Sequence, residues 1–127
     1  DWFEGRSILY SDRPDRQRRV LAGVCAASLD VISSALAEAK LDTTDVDFYA
    51  GHHGTAWYRQ VTQENAGLGH ARYADSFATN GSMAACNCPF VLALGLQREQ
   101  VQRGDIVVTH AGGNGSTWSS LAMRWVG

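Results

Sequence analysis

Between Ala84 and Leu96 the chain reads Ala-Ala-Cys-Asn-Cys-Pro-Phe-Val-Leu-Ala-Leu-Gly-Leu, apolar on nearly every side of a helical projection. A surface helix shows one apolar stripe and one polar face, so a helix apolar all round is buried between layers. Soon after comes Gly104-Asp105, a turn signal, and then Ile106-Val107-Val108-Thr109-His110. That run is the continuous apolar kind expected of a strand covered on both faces. A chain of 127 residues is enough for one domain and too short for two. One sheet-and-helix layer of that size does not bury the 84–96 helix well. A second layer, from the rest of the protein or from a partner, is therefore expected.

The remaining segments alternate in period. Over 14–40, apolar residues recur at Val20, Leu21, Val24, Cys25, Leu29, Ile32, Ala35, Leu36 and Ala39, the spacing of a helix with one buried stripe. Pro14 and Asp15 suit its first turn. A loop at 41–45 leads to a short strand at 46–50, a turn at 51–54 and a helix at about 55–66. A weak strand signal stands at 72–74. A helix then runs to about 102, with Ser82 placed to cap it, since serine is among the better N-cap residues. The strand at 106–110 is followed by a glycine loop at 112–115 and a last strand at 117–126. Residues 1–13 read as irregular, with one short strand at 7–10. Alternation of this kind predicts a mostly parallel sheet with helices packed against it.

Hydrophobic residues make up 45% and charged residues 19%, as in globular material. The formal net charge of −2 argues against nucleic acid as a main partner, which calls for a basic face. No apolar stretch of the length that spans a bilayer is expected, and no membrane role. The chain opens on Asp1 with neither a leader pattern nor Met, as a fragment or a processed chain would. Its cysteines, Cys25, Cys86 and Cys88, read as reduced, buried thiols of a cytoplasmic protein. Cys86-x-Cys88 lacks the second pair that a zinc site needs, so no metal is expected.

Three places carry possible chemistry. His52 and His53 directly follow the 46–50 strand, at the end where α/β folds place ligands, and fit either a surface turn or an acid–base site. The stretch 110–117, with Gly112, Gly113, Asn114 and Gly115, suits either a tight turn between strands or a backbone cradle for a ligand. It is neither a Walker loop nor a dinucleotide fingerprint. Ser82 reads as a plain helix cap or as a site residue. A basic run at Arg13, Arg16, Arg18 and Arg19 is diluted by Asp12 and Asp15, and suits a solvated helix start or a docking surface for an acidic partner.

Taken together, "VDFYAGHHGTAWYR", "TNGSMAACNCPFVLAL" and "VQRGDIVVTHAGGNGSTWSSLAMRW" resemble the C-terminal half of β-ketoacyl-acyl-carrier-protein synthase III, a condensing enzyme of the thiolase superfamily. The resemblance runs from 41 to 127 without a needed gap and more loosely over 15–40. It implies a thiolase-like α/β fold, the layered α/β/α/β/α architecture, of which 1–127 would form the C-terminal domain. The nucleophilic cysteine of the family lies in the N-terminal half, and none of the three cysteines here matches it; all three are expected to be packing residues.

On that resemblance His52 falls on the catalytic histidine and Ser82 on the catalytic asparagine. Gly113, Asn114 and Gly115 fall on the loop whose backbone amide helps form the oxyanion hole. Gly81, His53 and Gly112 fall on the substrate pocket. Thr55 replaces an asparagine of the motif. Trp57 replaces an arginine that helps dock carrier protein, with Arg59 two positions on. Gly112 stands where an aromatic is common, which implies a locally opened pocket. A serine hydroxyl is shorter than an amide and offers one donor, so the resemblance implies acyl transfer in which decarboxylation is weakened.

The resemblance further implies no resident cofactor, with acyl-coenzyme A or acyl-carrier protein as substrate in fatty acid or polyketide biosynthesis. The expected partners are the N-terminal half and a second subunit, in a homodimer or a heterodimer. Two alternatives stay open: a non-catalytic subunit of a condensing heterodimer, and an ordinary decarboxylating synthase in which Asn80 or Asn87 takes over from Ser82.

Overall fold

Helix α1 spans Pro14–Ala39, close to the expected 14–40. The computed structural model describes residues 14–113 and 117–127, so the strand expected at 7–10 lies outside the described residues. Asp15 stands in the first turn of α1, where the helix dipole favours an anion. Val24, Ser28, Ile32 and Leu36 are buried, each an i, i+4 step from the last, which is one stripe on one face. Ser28 tolerates that stripe because its hydroxyl donates to the Val24 carbonyl at 2.7 Å. Arg18 and Arg19 are exposed, as a solvated helix start requires.

Contrary to expectation, the window Ala22–Ala39, of 18 residues and mean hydropathy 1.3, is long and apolar enough to cross a membrane by those two measures. Val24, Leu29, Val31, Ile32 and Leu36 supply most of its apolar character, with alanines between them. Its buried stripe lies on a sheet.

That sheet has three strands, β1 (Phe48–Gly51), β2 (Ile106–Gly113) and β3 (Thr117–Arg124), in the order β1-β2-β3. Strands β1 and β2 are parallel, with Phe48 opposite Val107 and Gly51 opposite His110. Strands β2 and β3 are antiparallel, from Ile106 opposite Arg124 to Gly113 opposite Thr117. Of the strand signal at 72–74, one parallel bridge forms, Arg72 to Phe48. The sheet is thus mixed, as the fold class implies, with its antiparallel pair where β2 and β3 follow one another too closely for a crossover. Strand β2 also runs on through Gly112 and Gly113, which are paired with Trp118 and Thr117 rather than looped.

Side chains alternate across the sheet and divide the core. On one face Tyr49, Ile106 and Val108 pack with Ile32 and Leu36 of α1 and with Val46, Ala66, Leu68 and Ala71. On the other, Phe48, Ala50 and Val107 pack with Val91, Val101 and Ala74. Helix α2, Tyr58–Asn65, is shorter than the expected 55–66.

The segment after Ser76 is where the structure departs most from expectation. A short helix α3, Phe77–Asn80, ends at Gly81, and a 3-10 turn, Ala84–Cys86, precedes helix α4, Asn87–Gln97. Gly81 has φ 63 and ψ −154, a region open in practice only to glycine, and it breaks the helix expected to run on to 102. Glu99, with φ 56, marks the early end of α4. Helix α4 buries Asn87, Val91 and Gly95, one stripe, while Pro89 and Ala93 are exposed. Gly95 permits the close approach to the sheet: a Cβ there would lie 2.5 Å from Phe48 Cζ. The cysteines also differ from expectation, since Cys86 is exposed and Cys25 and Cys88 are half-buried, all three free. Cys86 stands in the 3-10 turn, outside the stripe that faces the sheet, and so is not a packing residue among the described residues.

Candidate active site

The parallel ladder of β1 and β2 continues one step beyond β1, where the His52 amide donates to the His110 carbonyl at 2.8 Å. His52 is therefore held at the carboxyl ends of two parallel strands, the usual ligand position in α/β sheets. It faces a cleft of about 590 Å³ lined by Gly54, Ser82, Ala84, Ala85, Ala111, Gly112, Gly113, Thr117 and Ser119. Apart from His52, none of the described residues in that wall is larger than threonine. A second groove, of about 480 Å³ between α1 and β3, holds Glu38 and small residues but no histidine or cysteine, and offers less chemistry.

Burial lowers the His52 pKa, and a hydrogen bond with the Ala84 backbone opposes that shift. A bond that favours the protonated ring is one in which the ring N–H donates to a carbonyl. Ala84, at φ 49, sits in the left-handed region that residues with side chains rarely adopt. Non-glycine residues in that region persist where surrounding structure holds them, often at sites. The result is a neutral imidazole at neutral pH with one ring edge anchored, able to accept or donate a proton at the other.

Ser82 follows Gly81, lines the same cleft as His52 and is exposed. It does not cap α4. That helix starts at Asn87, with Cys86 at the capping position and no side-chain cap bond. The amide of Met83 is instead satisfied by Asn87 Oδ1 at 3.1 Å. Asn87 is fully buried, and Asn80 accepts from Thr79 Oγ1 at 2.7 Å. Neither asparagine lines the cleft.

His53 is not a pocket residue. Successive side chains at the end of a strand point to opposite sides, so His53 turns away from the cleft. It is 1% exposed, and its Nδ1 meets Ser76 Oγ at 3.0 Å. Burial lowers its pKa, with Asp75 opposing. Gly81 also stays out of the wall; it aims the chain that carries Ser82. Gly112 and Gly113 are in the wall, while Asn114 and Gly115 lie outside the described residues.

Gly112 lines the cleft, yet part of the space of its missing side chain is taken. A Cβ at that position would lie 2.8 Å from the hydroxyl of Tyr58, the first residue of α2. Tyr58 stacks on His110 at 6.0 Å and meets His52 edge-on at 5.7 Å. On its far side His110 stacks on Tyr49 at 6.5 Å. His110 is fully buried, neither of its ring nitrogens has a partner among the described residues, and burial pushes its pKa down to about 4. Sequence reasoning missed Tyr58, His110 and Ala84. One signal was available: a glycine where an aromatic is common invites a large residue elsewhere to fill the space.

Cys88 donates from Sγ to the His110 carbonyl at 3.1 Å, and burial raises its pKa, which suits an inert thiol. Trp57 is 49% exposed. Arg59 lies over the Tyr73 ring at 3.6 Å and donates to Gln63 Oε1 at 2.7 Å, in a hollow that shares no residue with the cleft.

Residues 36–125 match the family model of the 3-oxoacyl-[acyl-carrier-protein] synthase III C-terminal region. The chain is 36% identical over 92 residues to the β-ketoacyl-[acyl-carrier-protein] synthase III of Dinoroseobacter shibae, an alignment covering 72% of this chain and 28% of that protein. With the protein of the same name from Ruegeria pomeroyi it shares 33% identity over 72% of this chain and 28% of the relative. In fold it is similar to the 3-oxoacyl-(acyl carrier protein) synthase III of Pseudomonas aeruginosa, with a TM-score of 0.79 and 22% identity over 87% of this chain and 35% of that one. A similar likeness, TM-score 0.77 at 16% identity, covers 87% of this chain and 34% of OleA of Xanthomonas campestris. The chain thus spans less than a third of the length of these curated relatives, and its fold is the thiolase-like one of those structures. The chain belongs to the 3-oxoacyl-[acyl-carrier-protein] synthase III family and corresponds to its C-terminal region.

Proposed function

We propose that the protein of which this chain is the C-terminal region transfers an acyl group from an acyl thioester by ping-pong chemistry, in secondary metabolism, and decarboxylates malonyl thioesters poorly. The observation that supports this most is the shared cleft: His52, Ser82, Gly112 and Gly113 all line it. A cysteine in the N-terminal part attacks the thioester carbonyl, and the donor thiol leaves. Neutral His52 accepts the proton of the cysteine thiol and passes it to the leaving donor thiolate; it later accepts the proton of the acceptor, which takes the acyl group, and returns that proton to the released cysteine thiolate. A backbone amide of the Gly113–Gly115 loop stabilises the tetrahedral oxyanion. Acyl-coenzyme A or acyl-carrier protein serves as donor, and the whole enzyme works as a dimer in the cytoplasm.

Ser82 supports the weak decarboxylation. With a hydroxyl in place of an amide, one of two donors to an enolate is shortened, and the loss of such a donor lowers rate by about 10²–10³. The test uses the full-length protein. It should gain the mass of an acyl group from acyl-coenzyme A, and His52→Ala should slow that gain about 10²–10⁴-fold. Release of carbon dioxide from malonyl thioester should be slow and should rise in Ser82→Asn. Rapid release by the unaltered protein would overturn the reading of Ser82. Absence of acyl gain would favour a non-catalytic subunit.

A further inference from the structure

Ser82, Ala84 and Ala85 enter the wall of the cleft from one turn, and that turn is held from behind by a residue outside the wall. Asn87, the first residue of α4, is fully buried. Its Oδ1 accepts from the Met83 amide at 3.1 Å, and its own backbone amide donates to the Ala84 carbonyl. The Cys86 amide closes the turn on the Met83 carbonyl at 3.0 Å. Asn87 thus binds the Met83–Ala84 pair at both ends, at its first N–H and its last carbonyl. Ala84 is the residue at φ 49, and a residue with a side chain stays in that region only where its surroundings hold it.

An asparagine at this position has a drawback. Among the described residues its Nδ2 is enclosed and without a partner, and an unpaired buried amide destabilises. A leucine has nearly the same shape and no such donor. What the carboxamide adds is its oxygen, and the described partner of that oxygen is the Met83 amide. His52 lines the same cleft as Ala84, and its ring N–H donates to the Ala84 carbonyl, whose oxygen has a lone pair for each of its two donors.

We propose that Asn87 is a positioning residue for His52: its carboxamide fixes the left-handed turn that presents the Ala84 carbonyl to the imidazole and Ser82 to the cleft. The ring is thereby held in one tautomer, with its other nitrogen left for proton transfer. The catalytic part of this rests on the acyl-transfer reading; the hold on the ring does not.

The experiment compares Asn87→Leu, which removes the oxygen at similar volume, with Asn87→Asp, which keeps an oxygen facing Met83, in the full-length protein. One readout is the rate of acyl gain by intact mass, with whichever of acetyl-, butyryl- and octanoyl-coenzyme A loads fastest. The other needs no activity: the pH dependence of carbethoxylation of His52 by diethyl pyrocarbonate, located by fragment mass spectrometry. The titratable rings near His52, those of Tyr58, His53 and His110, are the same in every variant. Asn87→Leu should lower the saturating rate of acyl gain about 10-fold to 10²-fold, with the half-saturating concentration within about twofold. It should also move the midpoint of His52 modification down by about half a unit to one unit, the worth of one lost hydrogen bond to the protonated ring. Asn87→Asp should restore most of the rate. A lower melting temperature in Asn87→Leu with both readouts unchanged would overturn the proposal and leave Asn87 a packing residue. Equal losses in the leucine and aspartate variants would overturn it too. If Asn87→Leu does not fold, Asn87→Ser, whose shorter side chain draws the oxygen away from Met83, is read by the same outcomes. If the unaltered protein gains no acyl group, the acyl-transfer reading fails, and the shift in His52 modification still decides whether Asn87 holds the ring.

Discussion

Helices α1 and α4 lie on opposite faces of the sheet and finish their faces differently. The buried positions of α1 fall at i, i+4 steps, and Ser33, Ser34, Ala37 and Glu38 are exposed, so its outer face is a water-facing surface. Helix α4 also buries one stripe, but Ala93 is exposed and Phe90, Leu92, Leu94 and Leu96 are only half-buried. Its outer face has the composition of an interior. The difference teaches that α1 presents polar residues beside Leu29 and alanines on its outer face, whereas α4 presents the apolar face of an interior awaiting a further layer. Ala84 and Ala85, in the wall of the cleft, stand just ahead of α4.

The sharpest way to break that comparison is to place the same charge on both helices of the full-length protein. Ala93→Glu is expected to destabilise by about 3–5 kcal/mol in chemical denaturation, since a covered α4 would bury an unpaired carboxylate. Ser33→Glu on α1 is expected to stay within about 0.5 kcal/mol. Similar small effects from both would show α4 to be a surface helix, and the asymmetry would be wrong.

His110 sharpens the comparison between the closed core and the cleft, because its ring lies between Tyr49 of the core and Tyr58 behind the cleft. With a folded pKa of about 4 against an ordinary 6.5, it stays neutral in the folded chain while the unfolded chain takes up a proton. Stability is thus lost as pH falls from about 6.5 and levels off below about 4. The expected loss is roughly 3 kcal/mol. His110→Phe, similar in shape, should flatten that slope without removing it, since burial lowers His52 and His53 in the same direction. Denaturant midpoints measured between pH 4 and 7 decide this; an unaltered slope would mean that His110 is not buried in the neutral form.

The smallest expected effect concerns the joint between α3 and the cleft. Among the described residues nothing lies within 4 Å of where a Cβ on Gly81 would stand, so Gly81→Ala acts chiefly through its backbone. A loss of about 1–3 kcal/mol is expected from its φ of 63 and ψ of −154. No change in melting temperature would show that the backbone relaxes, and the placement of Ser82 would then need no glycine.

Much of this was legible from residue order. The i, i+4 pattern from Val24 to Leu36 marks α1 nearly to its ends, and the β-branched run at 106–108 marks β2, because both signals are local and repeat over many residues. His52, Ser82, Gly112 and Gly113, from three separate motifs, line one cleft. The misreadings share a cause. His53 reads like His52 in sequence, and only strand geometry sends it to Ser76. Ser82 has the chemistry of a cap, but the ψ of Gly81 carries it out of the helix. Gly112 reads as open space, and the hydroxyl of Tyr58, from a distant segment, takes part of it.

The order of residues by itself determined the helix and strand segments, the family and the neutral-range chemistry available to a histidine after a strand, since these depend on periodicity, motif and residue type. Only the tertiary structure decided which histidine faces the cleft, that Tyr58 occupies the space beside Gly112 and that His110 is held neutral. Each of those depends on distances between segments far apart in the chain, and on how much water the folded packing leaves around a ring.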